Sequence, residues 1–210
     1  MLVGRRMTKD PKTVSPDDTL AHAADIMRQM RFNHLPVVEE GKLVGILTDT
    51  DLRNISLTDG PPEGGTKPSD RRVRDVMKTE VWSLTPEDAV EDALLIIRRK
   101  KFGALPVLSG DKLVGIITKI DLLNAVIDVL NLEEVGVRIE VSLPWNMKRF
   151  EELIGVLEGM SIRVRSCMIT PRKGSDRMVA LLRLDTIDGP KVIEALRARN
   201  FEVPGTADFS

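Results

Sequence analysis

The chain holds one cysteine, Cys167, two histidines, no tyrosine and only 3% aromatic residues. A single thiol closes no internal disulfide, and two histidines with one cysteine do not complete a protein-only zinc site of the usual kind. So few aromatics leave no stacking platform for single-stranded nucleic acid. Neither sign of charge dominates: 31 Lys plus Arg against 32 Asp plus Glu give a net charge of -1, so no overall field recruits nucleic acid or an anionic membrane. No run approaches the roughly 18 apolar residues of a membrane span, and the opening MLVGRRMTKD has no apolar targeting core. The chain therefore reads as cytoplasmic, with no membrane and no nucleic-acid partner. It also lacks G-x-x-x-x-G-K-S/T, a dinucleotide glycine fingerprint and G-x-S-x-G. The visible candidates for chemistry, His34, Asp49 and Cys167, lie far apart in sequence with no activating partner. The expectation is a protein that is not an enzyme, with no catalytic residue, no metal and no required cofactor.

What the chain does have is bulk and repetition. Its 210 residues, 42% hydrophobic, are enough for one large or two small cores. Shifted by 70 residues, the stretch from Met7 to Leu52 superimposes without a gap on Met77 to Leu122, with 18 identities in 46 pairs. These include Leu35-Pro36-Val37 over Leu105-Pro106-Val107, and Lys42-Leu43-Val44-Gly45-Ile46 over Lys112-Leu113-Val114-Gly115-Ile116. Two copies are too few for a solenoid, so the economical reading is a pair packed about a pseudo-two-fold axis.

Each copy carries the same local signals in the same order. Thr13-Val14 and Ser83-Leu84 read as short strands. Ser15-Pro16-Asp17-Asp18 and Thr85-Pro86-Glu87-Asp88 then read as helix starts, with an N-cap oxygen, a proline at the first helical position and first-turn carboxylates. Leu20, Ala23, Ala24 and Met27, and Val90, Leu94 and Ile97, recur at helical spacing and predict one buried stripe per copy. Leu35 to Val38 and Leu105 to Leu108 are apolar strands containing a proline. Glu40-Gly41-Lys42 and Gly110-Asp111-Lys112 are hairpin turns, after which LVGIL and LVGII run as buried strands.

Each copy ends in Gly, two apolar residues, Thr, two variable residues and Asp: GILTDTD and GIITKID. At the start of a helix, Thr48 with Asp51 and Thr118 with Asp121 fit a capping box, with Asp in place of the usual Glu or Gln. The same arrangement also fits a ligand site, since a helix N-terminus attracts phosphate and a carboxylate just inside it suits a ribose diol. Spacing leaves both readings open.

This duplicated unit resembles the CBS domain, named after cystathionine beta-synthase, and the tandem pair resembles a Bateman module. The resemblance covers residue 1 to about 132. It implies clefts that take an adenosine-containing effector such as AMP, ADP, ATP, NAD or S-adenosylmethionine, with the motif Thr on phosphate and the motif Asp on ribose. Carried over, those roles fall on Thr48 with Asp51 and on Thr118 with Asp121. Gly45 and Gly115 open the two motifs. The base-pocket segments fall on Lys9, Asp10, Pro11, Asn33 and His34 in copy one, and on Thr79, Glu80, Val81, Gly103 and Ala104 in copy two. Between Thr and Asp, copy one adds an anion, Asp49, and copy two a cation, Lys119. On charge, the Thr118 and Asp121 cleft is then the better phosphate site. Trp82 and His34 are expected as packing or cleft-lining residues, and His22 as a solvated one.

DGPPEGGTKPSD, residues 59–70, reads as a linker between copy one (1–58) and copy two (71–132). DLLNAVIDVLNLEEV, residues 121–135, predicts a helix apolar on more than one face that packs against another subunit or the next domain, with a homodimer as the natural proposal. Beyond it the grammar changes. Val137, Ile139, Val141 and Leu143 alternate as a strand; 146–160 reads as a helix with Phe150, Leu153, Ile154 and Leu157 inside. Two more strands flank TPRKGSD, with Cys167 packed in the first. Gly189 to Asn200 forms a helix, and Phe201 to Val203 a last strand. This order is ferredoxin-like and resembles the ACT domain, here 135–210, giving an α+β chain overall. A CBS pair followed by an ACT-like domain resembles the acetoin utilisation protein B family, which implies a regulatory sensor of acetoin catabolism acting on a protein target. The alternative is a ligand-independent dimerisation or scaffold protein.

Overall fold

The two copies of the repeated pattern take up the same local structure in a computed structural model that describes residues 1–58 and 71–204. The proposed linker at 59–70 lies outside the described residues. The chain divides into two compact units, Met1–Ala125 and Val126–Ser210.

In the first unit, copy one forms α1 (Leu20–Met30), the hairpin of β2 (His34–Glu39) and β3 (Lys42–Thr48), and α2 (Asp49–Thr58); a two-residue strand, β1 (Thr8–Lys9), precedes them. Copy two repeats this as α3 (Val90–Lys100), β4 (Ala104–Ser109), β5 (Lys112–Thr118) and α4 (Lys119–Val129). Glu40 and Gly41 both have positive φ, +48° and +80°, as the tight hairpin turn of right-twisted strands requires. The hairpins meet where Lys42 pairs with Lys112. Thr13-Val14 and Ser83-Leu84 shrink from strands to single parallel bridges, Val14 to Val37 and Leu84 to Val107.

The helices begin later than the sequence suggests. Thr19, not Ser15, caps α1 by accepting from the His22 amide at 3.2 Å, and Ala89 precedes α3 without a side-chain cap. Ser15 to Asp18 form a separate turn, closed by the Ser15 amide on Asp18 Oδ2 at 2.7 Å; Thr85 and Asp88 repeat it at 2.6 Å. These residues cannot be helical because their carbonyls are committed elsewhere. Pro16 O and Asp18 O accept from the amides of Arg74 and Val73, and Pro86 O and Asp88 O from Gly4 and Val3.

Those bonds reveal an exchange. The segment leading into copy one packs on copy two, and the segment leading into copy two packs on copy one. Thr8 pairs with Ile116 and Lys9 with Gly115, while Lys78 bridges Ile46, the residue equivalent to Ile116. Val3 is fully buried in the core of Leu84, Val90, Ala93, Ile97, Leu105, Val107, Ile117, Leu122 and Ala125. Val73 is buried in that of Val14, Leu20, Ala23, Met27, Leu35, Val37 and Leu47. The predicted helical stripes are thus confirmed, with Ala93 taking the fully buried place expected for Leu94. Gly45 and Gly115 let the exchanged segments approach: a Cβ on Gly115 would lie 2.9 Å from Met7 Cγ and 3.0 Å from Thr8 O. Gly115→Ala is expected to destabilise the chain by about 1–3 kcal/mol, as inserted methyl groups do in tight packing. A melting temperature equal to wild type would refute this contact.

Helix α4 stops at Val129 instead of running to 135. Asn131 adopts φ +51°, and the amides of Asn131 and Leu132 fold back onto Asp128 O and Ile127 O, a left-handed helix ending. The helix does carry outward apolar residues, with Leu123 54% and Val129 56% exposed.

The second unit contains β6 (Val137–Pro144), α5 (Met147–Gly159), β7 (Val164–Pro171), β8 (Arg177–Leu184) and α6 (Gly189–Arg197). The sheet order is β6-β8-β7, and Glu202 bridges Ser142 on β6. Ile139, Val141 and Leu143 share a core with Ala180, Leu182, Leu153, Leu157, Val192 and Leu196. Asn146 caps α5 through the Lys148 amide at 2.9 Å. Cys167, expected to pack, is exposed: β7 is a sheet edge, and Cys167 to Ile169 stand clear of the core at that edge. Among the described residues no helix is long and apolar enough to cross a membrane.

Candidate functional site

Within the first unit, the exchange of lead-in segments leaves a cleft of about 1090 Å³ where the two copies meet. Its walls come in equivalent pairs, among them Arg31 and Lys101, Phe32 and Phe102, His34 and Ala104, Thr48 and Thr118, and Asp49 and Lys119. Arg31 and Lys101 end α1 and α3 in left-handed conformation, φ +56° and +58°.

The two motifs form the same cap. Thr48 Oγ1 donates to Asp51 Oδ2 at 2.5 Å and accepts from the Asp51 amide at 3.2 Å, and the Thr48 amide donates to Asp51 Oδ2 at 3.0 Å. In copy two the corresponding distances for Thr118 and Asp121 are 2.7, 3.3 and 2.8 Å. The first helical amide is also taken in each copy, Asp49 N by Asn33 O and Lys119 N by Gly103 O. The capping-box reading is therefore realised in full. Aspartate replaces glutamate because its shorter side chain reaches both the hydroxyl and the amide of the threonine.

Most residues singled out from sequence line the cleft: Thr48, Thr118, Lys119, Asp121, Pro11, His34, Val81 and Ala104, with Asp10, Asn33, Asp49, Glu80, Trp82 and Gly103 beside them. Five do not. Gly45 and Gly115 pack behind it on Met77 and Met7. Lys9 is tied to Gly115 in copy two, away from the copy-one motif with which it was grouped, and Thr79 is exposed off the cleft wall. Asp51 lies behind Thr48, its second oxygen ion-paired to Lys78 Nζ at 3.0 Å. The lysine serving the copy-one motif thus comes from the lead-in to copy two.

Lys78 also changes the charge balance. Asp49 pairs with Arg53 at 2.9 Å, so both copy-one carboxylates carry a cation, and the electrostatic preference for copy two read from Asp49 against Lys119 is offset. The ends differ in another way. Asp121 has no ion-pair partner among the described residues, so its second oxygen is available to a ligand, whereas that of Asp51 is engaged.

His34 starts β2 opposite Thr48, and its ring lies against Gly103, where a Cβ would collide with Nε2. Burial first, then the positive charge of Lys119, with Lys78 adding to it and Asp51 opposing, holds its imidazole below the usual histidine value. Trp82 is 49% exposed on the cleft wall with Lys100 Nζ 4.5 Å from its ring centre. Sequence reasoning did not find Lys12, Arg31, Arg53, Lys78 and Lys101 as cleft cations. Only the coincidence of Arg31 with Lys101 after the repeated helices could have marked that pair.

Known proteins share this architecture. The CBS domain pattern matches residues 3–57 and 73–128, more than half of the chain. The CBS domain-containing protein YhcV of Bacillus subtilis is 37% identical over 116 residues, 55% of this chain and 79% of that one. A Vibrio cholerae chain provisionally assigned to acetoin utilization (AcuB) is 30% identical, with a TM-score of 0.55 over 63% of this chain and 95% of that one. CBSX2, solved in complex with AMP, is 26% identical with a TM-score of 0.52, over 63% and 98% of the two chains. The CBS pair of protein MJ0100, solved with 5'-methylthioadenosine and S-adenosyl-L-methionine, is 25% identical with a TM-score of 0.53, over 60% and 95%. With two matched copies, a repeated cap motif and a cleft between them, the chain belongs to the CBS domain family.

Proposed function

We propose that the chain is a regulatory sensor that binds an adenosine-containing ligand, such as AMP, ADP, ATP, NAD or S-adenosylmethionine, in the cleft between two CBS domains. The observation that carries this reading is one cleft, large enough for a nucleotide, that brings together both motif threonines and Asp121. Support also comes from the relatives solved with AMP and with adenosyl ligands. In this reading the free oxygen of Asp121 accepts from a ribose diol, and Ala104, Val81 and Pro11 give the apolar walls for a base.

The domains are residues 1–58, 71–132 and 135–210. The last is an ACT-like domain of ferredoxin-like order, a reading supported by the β6-β8-β7 sheet, two intervening helices and Glu202 beside β6. The protein acts in the cytoplasm as a homodimer on a protein target. Control of acetoin catabolism is supported by the likeness to the AcuB chain.

One observation favours a second reading, a ligand-independent scaffold: both threonine hydroxyls are already satisfied as caps. Calorimetric titration with AMP, ADP, ATP, NADH and S-adenosylmethionine separates the two. Saturable binding by one of them is expected; silence from all five would leave the scaffold.

A further inference from the structure

A phosphate oxygen is an acceptor and needs a donor. The donor of each motif threonine is spent, since Thr48 and Thr118 give their hydroxyl hydrogens to Asp51 and Asp121. A phosphate taking either hydroxyl hydrogen competes for it with the aspartate carboxylate, while the two backbone bonds of the cap stay in place.

Further donors gather at the junction of the copies: His34 and Lys119, and Lys78, whose ammonium is only partly engaged by Asp51. The His34 ring crosses from copy one to touch Gly103 of copy two, and the Gly103 carbonyl holds the amide of Lys119. Lys78 reaches the same wall from the other side through Asp51, which caps the residue paired with His34. No group among the described residues hydrogen-bonds the His34 ring, and Lys119 has no ion-pair partner among them. Copy two has Ala104 at the position of His34, so the feature is one-sided.

We propose that this junction, His34 with Lys119 and Lys78, is the anion subsite of the cleft, receiving the phosphate of a nucleotide while His34 takes up a proton. The inference rests on the adenosine-ligand reading above and adds that the preferred ligand carries phosphate. Without ligand, burial and the lysines favour neutral imidazole, against Asp51. A phosphate dianion at the junction outweighs the lysines and favours imidazolium. Affinity for AMP should therefore rise as pH falls from 8 towards 6.5.

The chain has only two histidines, so NMR titration of their ring protons, with His22→Gln for assignment, reads His34 directly. AMP is expected to raise the His34 midpoint and adenosine to leave it near its free value. In His34→Asn the preference for AMP over adenosine should fall at least fivefold, and the pH dependence of AMP affinity should flatten. AMP that binds while leaving the His34 midpoint where adenosine leaves it overturns the subsite but keeps the sensor. No binding of either compound overturns the subsite, and the sensor then rests on the titrations with ADP, ATP, NADH and S-adenosylmethionine.

Discussion

Val3→Asp is expected to melt the second copy of the repeat, not the first, to which Val3 belongs in sequence. Val3 is fully buried among Leu84, Val90, Leu105 and Ile117, and its backbone is held by Asp88. An aspartate there has no cation to meet in that cluster, and an uncompensated buried charge costs about 3–5 kcal/mol. That is a large part of the stability of an ordinary domain. Hydrogen exchange should show protection lost first in α3, β4 and β5, while β2 and β3 stay protected longer. Val73→Asp should give the converse, since Val73 sits with Leu20, Leu35 and Leu47. Equal loss in both copies, or loss in the copy that carries the substitution, would sink the exchange.

Asp121→Ala should weaken adenosine-ligand binding at least tenfold, about 1.4 kcal/mol, while Asp51→Ala weakens it less. The difference follows from the second carboxylate oxygens. That of Asp121 has no ion pair among the described residues and can accept from a ribose diol; that of Asp51 is held by Lys78 at 3.0 Å. For stability the order reverses. Both variants lose a cap, about 1 kcal/mol, and Asp51→Ala also releases Lys78. Calorimetry on variants shown by circular dichroism to be folded checks the first statement, and thermal melts check the second. Unchanged AMP affinity in folded Asp121→Ala would remove the ribose contact from the proposed site.

Where the sequence misled, the cause was a partner distant along the chain. Ser15-Pro16-Asp17-Asp18 has every local mark of a helix start, yet Pro16 O and Asp18 O are claimed by Arg74 and Val73, and the helix waits until Leu20. Cys167 alternates as a core residue would, but its strand lies at an edge, where the pattern no longer implies cover. Lys119 against Asp49 suggested unequal ends, and Lys78, remote in sequence, redressed the balance.

What the sequence determined by itself was everything with a short range. The duplication, the hairpins and the Thr–Asp caps follow from turn residues, apolar periodicity and a hydroxyl three residues from a carboxylate, interactions completed within a few residues of chain. Only the tertiary structure decided which lead-in segment joins which core. Val3 and Val73 are equally apolar and stand equally placed before their repeats, so burial alone favours neither pairing. In the structure Met7 meets Gly115 and Met77 meets Gly45, contacts between residues more than thirty positions apart. The same choice brings His34, Lys78 and Lys119 to one cleft, because a pocket built between two copies takes its donors from whichever segments cross there.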